Sequence, residues 1–340
     1  MEAIYNFSEN ELKDKLTSNG FPGYTARQIF EWVYKRRVQD FDLMSNLSKE
    51  LREFLKENFS ISSLSLIKKE KSSDKSEKFL FKLGDDSVIE AVLIPEAARS
   101  TLCVSTQVGC KFRCLFCASG EKGFKRNLTA GEIINQYLST SSLKASPKIT
   151  NLVFMGIGEP LDNFENTIKS INILMNPAGI NFSKRRISLS TCGLIPEIKK
   201  LAKLKLGIKL SVSLHSADNS IRNKLMPVNE KYPLDKLMPA IREFSKASKD
   251  LVTFECVLIR GINISRDDAK KLAKLLNRVN GKANLIPYNG VSSKFKAPLQ
   301  EEVDIFSQEL KRRGVFFTLR KSRGSDINAA CGQLRAVYSV

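Results

Sequence analysis

The chain has 340 residues, 42% of them hydrophobic, with 18 Gly and 11 Pro, which suits one large core plus a small accessory domain and argues for an ordered globular protein. Lysine and arginine exceed aspartate and glutamate by 55 − 36 = 19, a surplus that attracts polyanions such as nucleic acid or an anionic membrane, and that a well-solvated surface explains equally. No 18-residue apolar run occurs, and the start Met1-Glu2-Ala3-Ile4-Tyr5-Asn6 lacks the basic and apolar regions of a signal peptide, so the expectation is a cytoplasmic protein with reduced thiols and no membrane partner.

Residues 1–60 read as a small helical unit. Residues 26–33 carry Ile29, Phe30 and Val33 on one face, and residues 47–59 carry Leu51, Phe54 and Leu55, with Gly20, Pro22 and Gly23 as turn signals. The basic run Lys35-Arg36-Arg37 leaves two readings open, a nucleic-acid contact or a plain cap. Next, the polar residues 71–77 look like a hairpin loop between strands at 64–67 and 79–83, followed by a strand at 87–94. The last strand holds one charge, Glu90, between Ile89 and Ala91. On a half-exposed strand such a carboxylate faces water; among apolar neighbours it becomes a base with raised pKa.

From about residue 98 strands and helices alternate to the C-terminus. Apolar strand segments lie at 102–106, 151–155, 187–190, 209–214, 252–259 and 284–287, and 315–320 would extend the set. Between them, Phe164, Ile168, Ile171 and Met175 keep a helical period, as do Leu234, Leu237, Met238, Ile241 and Phe244, and Leu272, Leu276 and Val279. Such alternation implies a parallel sheet with right-handed crossovers, either open or a partial barrel.

The stretch Cys110-Lys111-Phe112-Arg113-Cys114-Leu115-Phe116-Cys117 follows the first of these strands and spaces three thiols as Cys-x3-Cys-x2-Cys. Three is an odd number for disulfides, and nothing marks a secreted protein, so a metal is the economical explanation. A structural zinc closes its tetrahedron with a fourth Cys or a His; here His215, the only histidine, would complete a Cys3His site in an RNA-binding protein. An iron–sulfur cluster normally takes four Cys, so one held by three keeps an iron open to another ligand.

Sites in parallel α/β folds form at the C-terminal ends of the strands. There this chain places the Cys loop, Gly156-Ile157-Gly158-Glu159-Pro160, Ser190-Thr191-Cys192-Gly193, Ser213-Leu214-His215-Ser216 and Tyr288-Asn289-Gly290. Each loop alone is an ordinary turn or helix cap. Together they bring a metal, a carboxylate, hydroxyls and an amide to one mouth.

With Gly158-Glu159-Pro160, the three cysteines resemble the radical S-adenosylmethionine superfamily, whose fold is a partial (β/α)6 TIM-like barrel. The match is nearer still to the RlmN/Cfr-type RNA adenine methyltransferases. It rests on Leu102 to Cys110, Lys125-Arg126-Asn127-Leu128-Thr129, Met155 to Leu161, Ser213-Leu214-His215, Ala329-Ala330-Cys331-Gly332-Gln333-Leu334, and the N-terminal run Tyr24 to Phe30, so it spans essentially the whole chain. The resemblance implies three parts: a helical accessory, RNA-binding domain over 1–60, a β linker over 61–97 carrying Glu90, and the barrel with its C-terminal extension over 98–340.

It also implies the chemistry. Cys110, Cys114 and Cys117 would hold a 4Fe-4S cluster, and Gly158, Glu159, Ser190, Ser213, Leu214, His215 and Asn289 would bind S-adenosylmethionine. Two cofactor molecules serve each methyl transferred, because carbon 2 of adenine is not nucleophilic. Cys331 would take the methyl from the first by thiolate displacement. The second would yield a 5′-deoxyadenosyl radical that activates this methyl for addition to the ring. Glu90 would be the proton acceptor, and Cys103 would release the product through a transient Cys103–Cys331 disulfide. Without the resemblance Cys103 and Cys331 read as a buried strand thiol and a tail thiol; Cys192 and Cys256 match no role and read as core filler.

The implied substrates are an adenine of 23S rRNA at the peptidyl-transferase centre and one in the tRNA anticodon loop. A flavodoxin or ferredoxin would be the electron donor to a monomeric enzyme. Within the family the rival is Cfr-like methylation of adenine carbon 8, which confers antibiotic resistance; Pro160 and the N-terminal stretch fit the carbon-2 branch better. The basic runs Lys311-Arg312-Arg313 and Arg320-Lys321-Ser322-Arg323 suit a large folded RNA, or are solvated helix and strand ends.

Overall fold

The structure is a computed structural model describing residues 1–61, 64–143, 147–291, 293–320 and 322–335; Lys321 of the basic run lies outside them. The N-terminal unit opens with β1 (Glu2–Ala3) and α1 (Glu9–Ser18). A capping box sets the start of α1: Ser8 Oγ accepts from the Glu11 amide at 3.3 Å, and the Ser8 amide donates to the Glu11 carboxylate at 2.8 Å. The helix expected over 26–33 is α2 (Thr25–Phe30), which widens into a π-helical turn over Glu31–Arg36. Ser48 caps α3 (Lys49–Asn58), which leads into β2 (Phe59–Ser60), parallel to β1. Leu12, Leu16, Ile29, Phe30, Leu51 and Leu55 are buried and continuous with the main core. Each contributes about 1.5–3 kcal/mol by leaving water.

The loop expected at 71–77 joins β3 (Ser65–Lys71) to β4 (Glu77–Lys82), and β5 (Val88–Glu96) and β6 (Arg99–Cys103) continue the antiparallel order. The first barrel strand, expected to run to Thr106, ends at Cys103, because the chain turns there into a ribbon absent from the sequence reading. This ribbon, β7 (Gln107–Gly109) against β8 (Phe124–Asn127), brackets the Cys loop. Then come α4 (Ala130–Ser141), β9 (Asn151–Phe154), α5 (Phe164–Met175), β10 (Ile187–Thr191), α6 (Ile195–Leu204) and β11 (Lys209–Ser213). After the short α7 (Asn219–Leu225) and α8 (Val228–Lys231) follow α9 (Leu234–Ser248), β12 (Val252–Leu258), α10 (Arg266–Leu276), β13 (Gly281–Pro287), α11 (Gln300–Arg312) and β14 (Phe317–Leu319).

All the strands from β3 onward except β7 and β8 form one ten-stranded sheet in the order β14-β13-β12-β11-β10-β9-β6-β5-β4-β3. Strands β6 and β9 to β14 are mutually parallel and each lies beside its predecessor, the neighbour order of a (β/α) barrel left open. The expected extension at 315–320 is β14. Helices cover the parallel strands, so Leu152, Phe154, Leu189, Leu210, Val212, Phe254 and Leu285 are almost wholly buried, which explains their near-continuous apolar runs. Among the described residues no helix is long and apolar enough to cross a membrane.

Candidate active site

Beyond β6 the backbone is held by a buried polar knot. Ser105 exchanges two bonds with the Gln136 amide, at 2.8 and 2.9 Å; its hydroxyl donates to the Glu90 carbonyl at 2.6 Å and accepts from the Ile157 amide at 2.9 Å. The loop after β9 presses against this knot. A Cβ on Gly156 would lie 2.7 Å from the Val104 carbonyl oxygen, and one on Gly158, whose φ is +103°, 2.5 Å from the Gln107 Cβ. Only glycine allows that approach and that backbone. The Cys loop itself is pinned by Cys110 N–H to Gly123 O (2.9 Å), Leu115 N–H to Leu225 O (3.0 Å) and Ala118 N–H to Gly332 O (2.7 Å).

These loops line a cavity that is open to solvent. Cys110, Cys114, Cys117, Gly158, Glu159, Ser190, Ser213, His215, Asn289 and Cys331 all line it, so the sequence-derived residues converge as expected. Burial pushes the Cys110 thiol up to about 12 and raises Cys114 and Cys117, and for Cys114 the neighbouring thiols Cys117 and Cys110 add to the rise. Three buried thiols whose thiolates would repel one another become ligands only when a cationic group displaces their protons. Among the described residues no three Cys, His, Asp or Glu side chains close on one point as a single ion requires. Three thiols on the wall of one cavity are a donor set that an iron–sulfur cluster takes, each thiolate on a separate iron.

His215 also speaks against zinc. Its Nδ1 accepts from the Val257 amide at 3.1 Å, so Nε2 carries the proton and no lone pair is left for a metal. Its ring lies 4.3 Å from that of Phe116, and burial, then the Arg222 charge, lowers its pKa to about 3. Histidine here is a neutral wall with a donor.

Glu159 sits at the end of β9, 5% exposed. Its carboxylate accepts from the Leu161 amide at 3.1 Å and the Cys192 amide at 2.7 Å, and its own amide donates to Gln107 Oε1 at 2.9 Å. Burial nevertheless raises its pKa to about 7. A cationic amino group entering the cavity would restore the carboxylate. Leu214 departs from the expected set: it is fully buried, does not line the cavity, and contributes through its backbone, donating to Glu255 O at 3.0 Å and accepting from Arg222 Nε at 3.2 Å.

Cys103 lines a second cavity, next to the first. The dividing wall includes Cys331, Asn289, Arg320 and Cys117, so Cys331 faces both the Cys loop and Cys103. Burial raises the Cys103 thiol to about 12, with the Cys331 thiol adding and the Arg320 charge opposing. Asn289 Nδ2 donates to the Cys331 carbonyl at 3.3 Å, and Gln333 Nε2 to the Asn289 carbonyl at 3.0 Å, which hold the tail over the site. The β3–β4 loop clasps the same tail: Asp326 accepts from Ser72 Oγ at 2.6 Å and the Ser73 amide at 3.0 Å, and Asp74 from the Gly324 amide at 2.8 Å.

Glu90 lines neither cavity. It lies beneath the tail at 3% exposure, accepting from the Arg335 amide at 2.9 Å, with buried Lys78 at 3.5 Å. Glu90 is therefore buried rather than solvent-facing: the tail lies against its carboxylate, and Lys78 of the neighbouring strand β4 stands beside it. Cys192 is more than core filler, since it lines the cavity and its backbone joins Glu159 to Arg222; Cys256 is buried in β12. Arg320, read as part of an RNA-binding run, forms a wall of both cavities, while Arg312 and Arg313 pair with Glu309 at 2.9 and 2.6 Å. Arg222 and Gln107 were missed, having no spacing signature.

Two family models match the chain, the radical SAM superfamily over residues 104–276 and the ribosomal RNA large subunit methyltransferase N-terminal domain over residues 3–61. The dual-specificity RNA methyltransferase RlmN of Syntrophotalea carbinolica is 44% identical over 339 residues, covering 99% of this chain and 90% of that protein. RlmN of Syntrophobacter fumaroxidans is 43% identical over 337 residues, covering 98% of each. The crystal structure of a radical SAM methyltransferase from Sphaerobacter thermophilus superposes with a TM-score of 0.93 at 42% identity, covering 99% of this chain and 100% of that one. These matches favour the RlmN branch over the Cfr branch.

Proposed function

The chain belongs to the RlmN-type radical S-adenosylmethionine RNA methyltransferases, and from that premise we propose that it methylates carbon 2 of an adenine in 23S rRNA and of an adenine in the tRNA anticodon loop, using Cys331 as methyl carrier and Cys103 as resolving thiol. The observation that supports this most directly is Cys331 in the wall between two cavities, one with the Cys loop and one with Cys103. A bound 4Fe-4S cluster and S-adenosylmethionine supply the methyl group and the radical chemistry that an unactivated ring carbon needs. Cys110, Cys114 and Cys117 hold the cluster. Gly158 and Glu159 take the cofactor's amino group, the carboxylate ionising as the cation arrives, and Ser190, Ser213, the Leu214 backbone, His215 and Asn289 complete the pocket.

Cys331 keeps the methyl at the wall as a thioether. Once that carbon is joined to the base, the Cys103 thiolate attacks the Cys331 sulfur. The sulfur–carbon bond breaks with its electron pair going to the carbon, which takes up a proton to become the methyl group, and the two cysteines are left as a disulfide that needs two electrons for reduction. Glu90 takes the ring proton once the tail has moved from its carboxylate. Residues 1–60 act as the RNA-binding domain, 61–97 as the linker that presents Glu90, and 98–340 as the catalytic core. The enzyme works as a cytoplasmic monomer, with a flavodoxin or ferredoxin as reductant.

The test is mass spectrometry of nucleosides from rRNA and tRNA, with and without the gene. Loss of 2-methyladenosine from both is expected. An unchanged 2-methyladenosine level refutes the function, and loss of 8-methyladenosine instead establishes the carbon-8 rival.

A further inference from the structure

Among the described residues Arg222, on α7, is the largest fully buried side chain, and none of the assigned roles uses it. Its guanidinium donates to the backbone oxygens of Leu214 (3.2 Å), Cys192 (2.8 Å) and Ser213 (3.3 Å) and to Asn229 Oδ1, so it ties the loops after β10 and β11 together. All four partners are neutral. Among the described residues no carboxylate forms an ion pair with it.

A buried charge without a counter-charge costs several kcal/mol, and natural proteins rarely keep one. The groups facing Arg222 show where the counter-charge comes from. Cys192 and Ser213, whose carbonyls it binds, line the cluster cavity, and so does Met226, one residue beyond α7. The last carbonyl of α7, Leu225 O, binds the amide of Leu115, next to Cys114. The Cys192 and Cys114 side chains are the ionisable groups beside Arg222 on its cavity side, and they can carry negative charge only once deprotonated; His215, also nearby, is neutral. On ligation, three thiolates on a 4Fe-4S core of charge 2+ give a net charge of −1, and uptake of one electron makes it −2. The missing anion is the cluster, and its reduced form most of all.

We propose that Arg222 is a positioning residue that supplies the fixed positive charge for the cluster held by Cys110, Cys114 and Cys117, and that it raises the cluster's reduction potential. This rests on the three thiols being cluster ligands. In a medium of effective dielectric about 20, a unit charge roughly 12 Å away changes a one-electron equilibrium by on the order of tenfold.

The experiment is a one-electron redox titration of anaerobically reconstituted full-length protein, with viologen mediators, read by visible absorption and electron paramagnetic resonance. Three variants are compared with the unaltered chain. Arg222→Gln removes the charge and keeps a donor; at a fixed potential its ratio of reduced to oxidised cluster should fall about tenfold, a shift of about 59 mV to the negative. Arg222→Lys keeps the charge and should remain near the unaltered potential. Asn229→Asp places a carboxylate on the guanidinium without removing it, and should shift the potential the same way as Arg222→Gln; it serves as the charge test where Arg222→Gln does not fold. A folded Arg222→Gln or Asn229→Asp protein with an unshifted potential overturns the proposal, and so does a shift in Arg222→Lys as large as in Arg222→Gln. Unaltered protein that binds no four-iron cluster would overturn the ligand assignment itself.

Discussion

Replacing Glu159 by Gln isolates the energetic strain built into the cofactor pocket. The carboxyl is buried, and burial moves its pKa from 4.5 to about 7. Between those values the native protein still holds a proton that the unfolded chain has released, so stability falls as pH rises through this window. At 1.36 kcal/mol per pH unit the interval corresponds to roughly 3 kcal/mol. Gln cannot ionise and escapes this loss, but its NH2 group cannot accept from both the Leu161 and Cys192 amides, which costs about 1–3 kcal/mol at any pH. At pH 5 the variant should therefore be the less stable protein. By pH 8 the difference should have moved by roughly 3 kcal/mol in its favour. Urea unfolding of both cluster-free proteins at pH 5, 6, 7 and 8 measures this, and the difference between them cancels every other titrating group. Parallel stability curves would show that Glu159 is not strained by burial. The same strain predicts that S-adenosylmethionine binding to the unaltered protein tightens from pH 6 to 8 with release of a proton.

Other outcomes follow from single contacts. Cys331→Ala should abolish methylation, whereas Cys103→Ala should retain a covalent protein–RNA adduct visible on a denaturing gel; normal turnover by Cys103→Ala removes it from the mechanism. Gly158→Ala adds a Cβ 2.5 Å from that of Gln107 at a φ of +103°, and should lower the chemical unfolding midpoint by the equivalent of about 2 kcal/mol or more. Lys78→Met strips the buried cation that lies 3.5 Å from Glu90 and 3.0 Å from Glu70, an expected loss of about 3–5 kcal/mol, with Lys78→Arg recovering part of it in the same unfolding assay.

Much of the architecture was legible in residue order, for a physical reason. Strands buried on both faces must be apolar throughout, and the covering helices must repeat an apolar face every 3.6 residues, so β9 to β13 and α5, α9 and α10 announce themselves. Short elements do not. The β7–β8 ribbon has three or four residues per strand, too few for a period, and the π-helical turn after α2, in which Trp32, Val33 and Tyr34 are buried, breaks the 3.6-residue period. The cluster thiols were legible because their ligand spacing is local.

Groups whose meaning depends on distant partners were not legible from pattern alone. Glu90 on its strand is as good a solvent-facing carboxylate as a buried one until the tail brings the Arg335 amide against it from 245 residues away. Arg320 sits in a basic run fit for RNA, yet it forms a wall shared by both cavities, and Arg222 has no sequence signature at all. Local spacing and periodicity by themselves determined the parallel sheet, the metal loop and the mouth at the strand ends. Only the tertiary structure decided which buried charge faces which thiol, because burial and electrostatic fields arise between segments far apart in the chain.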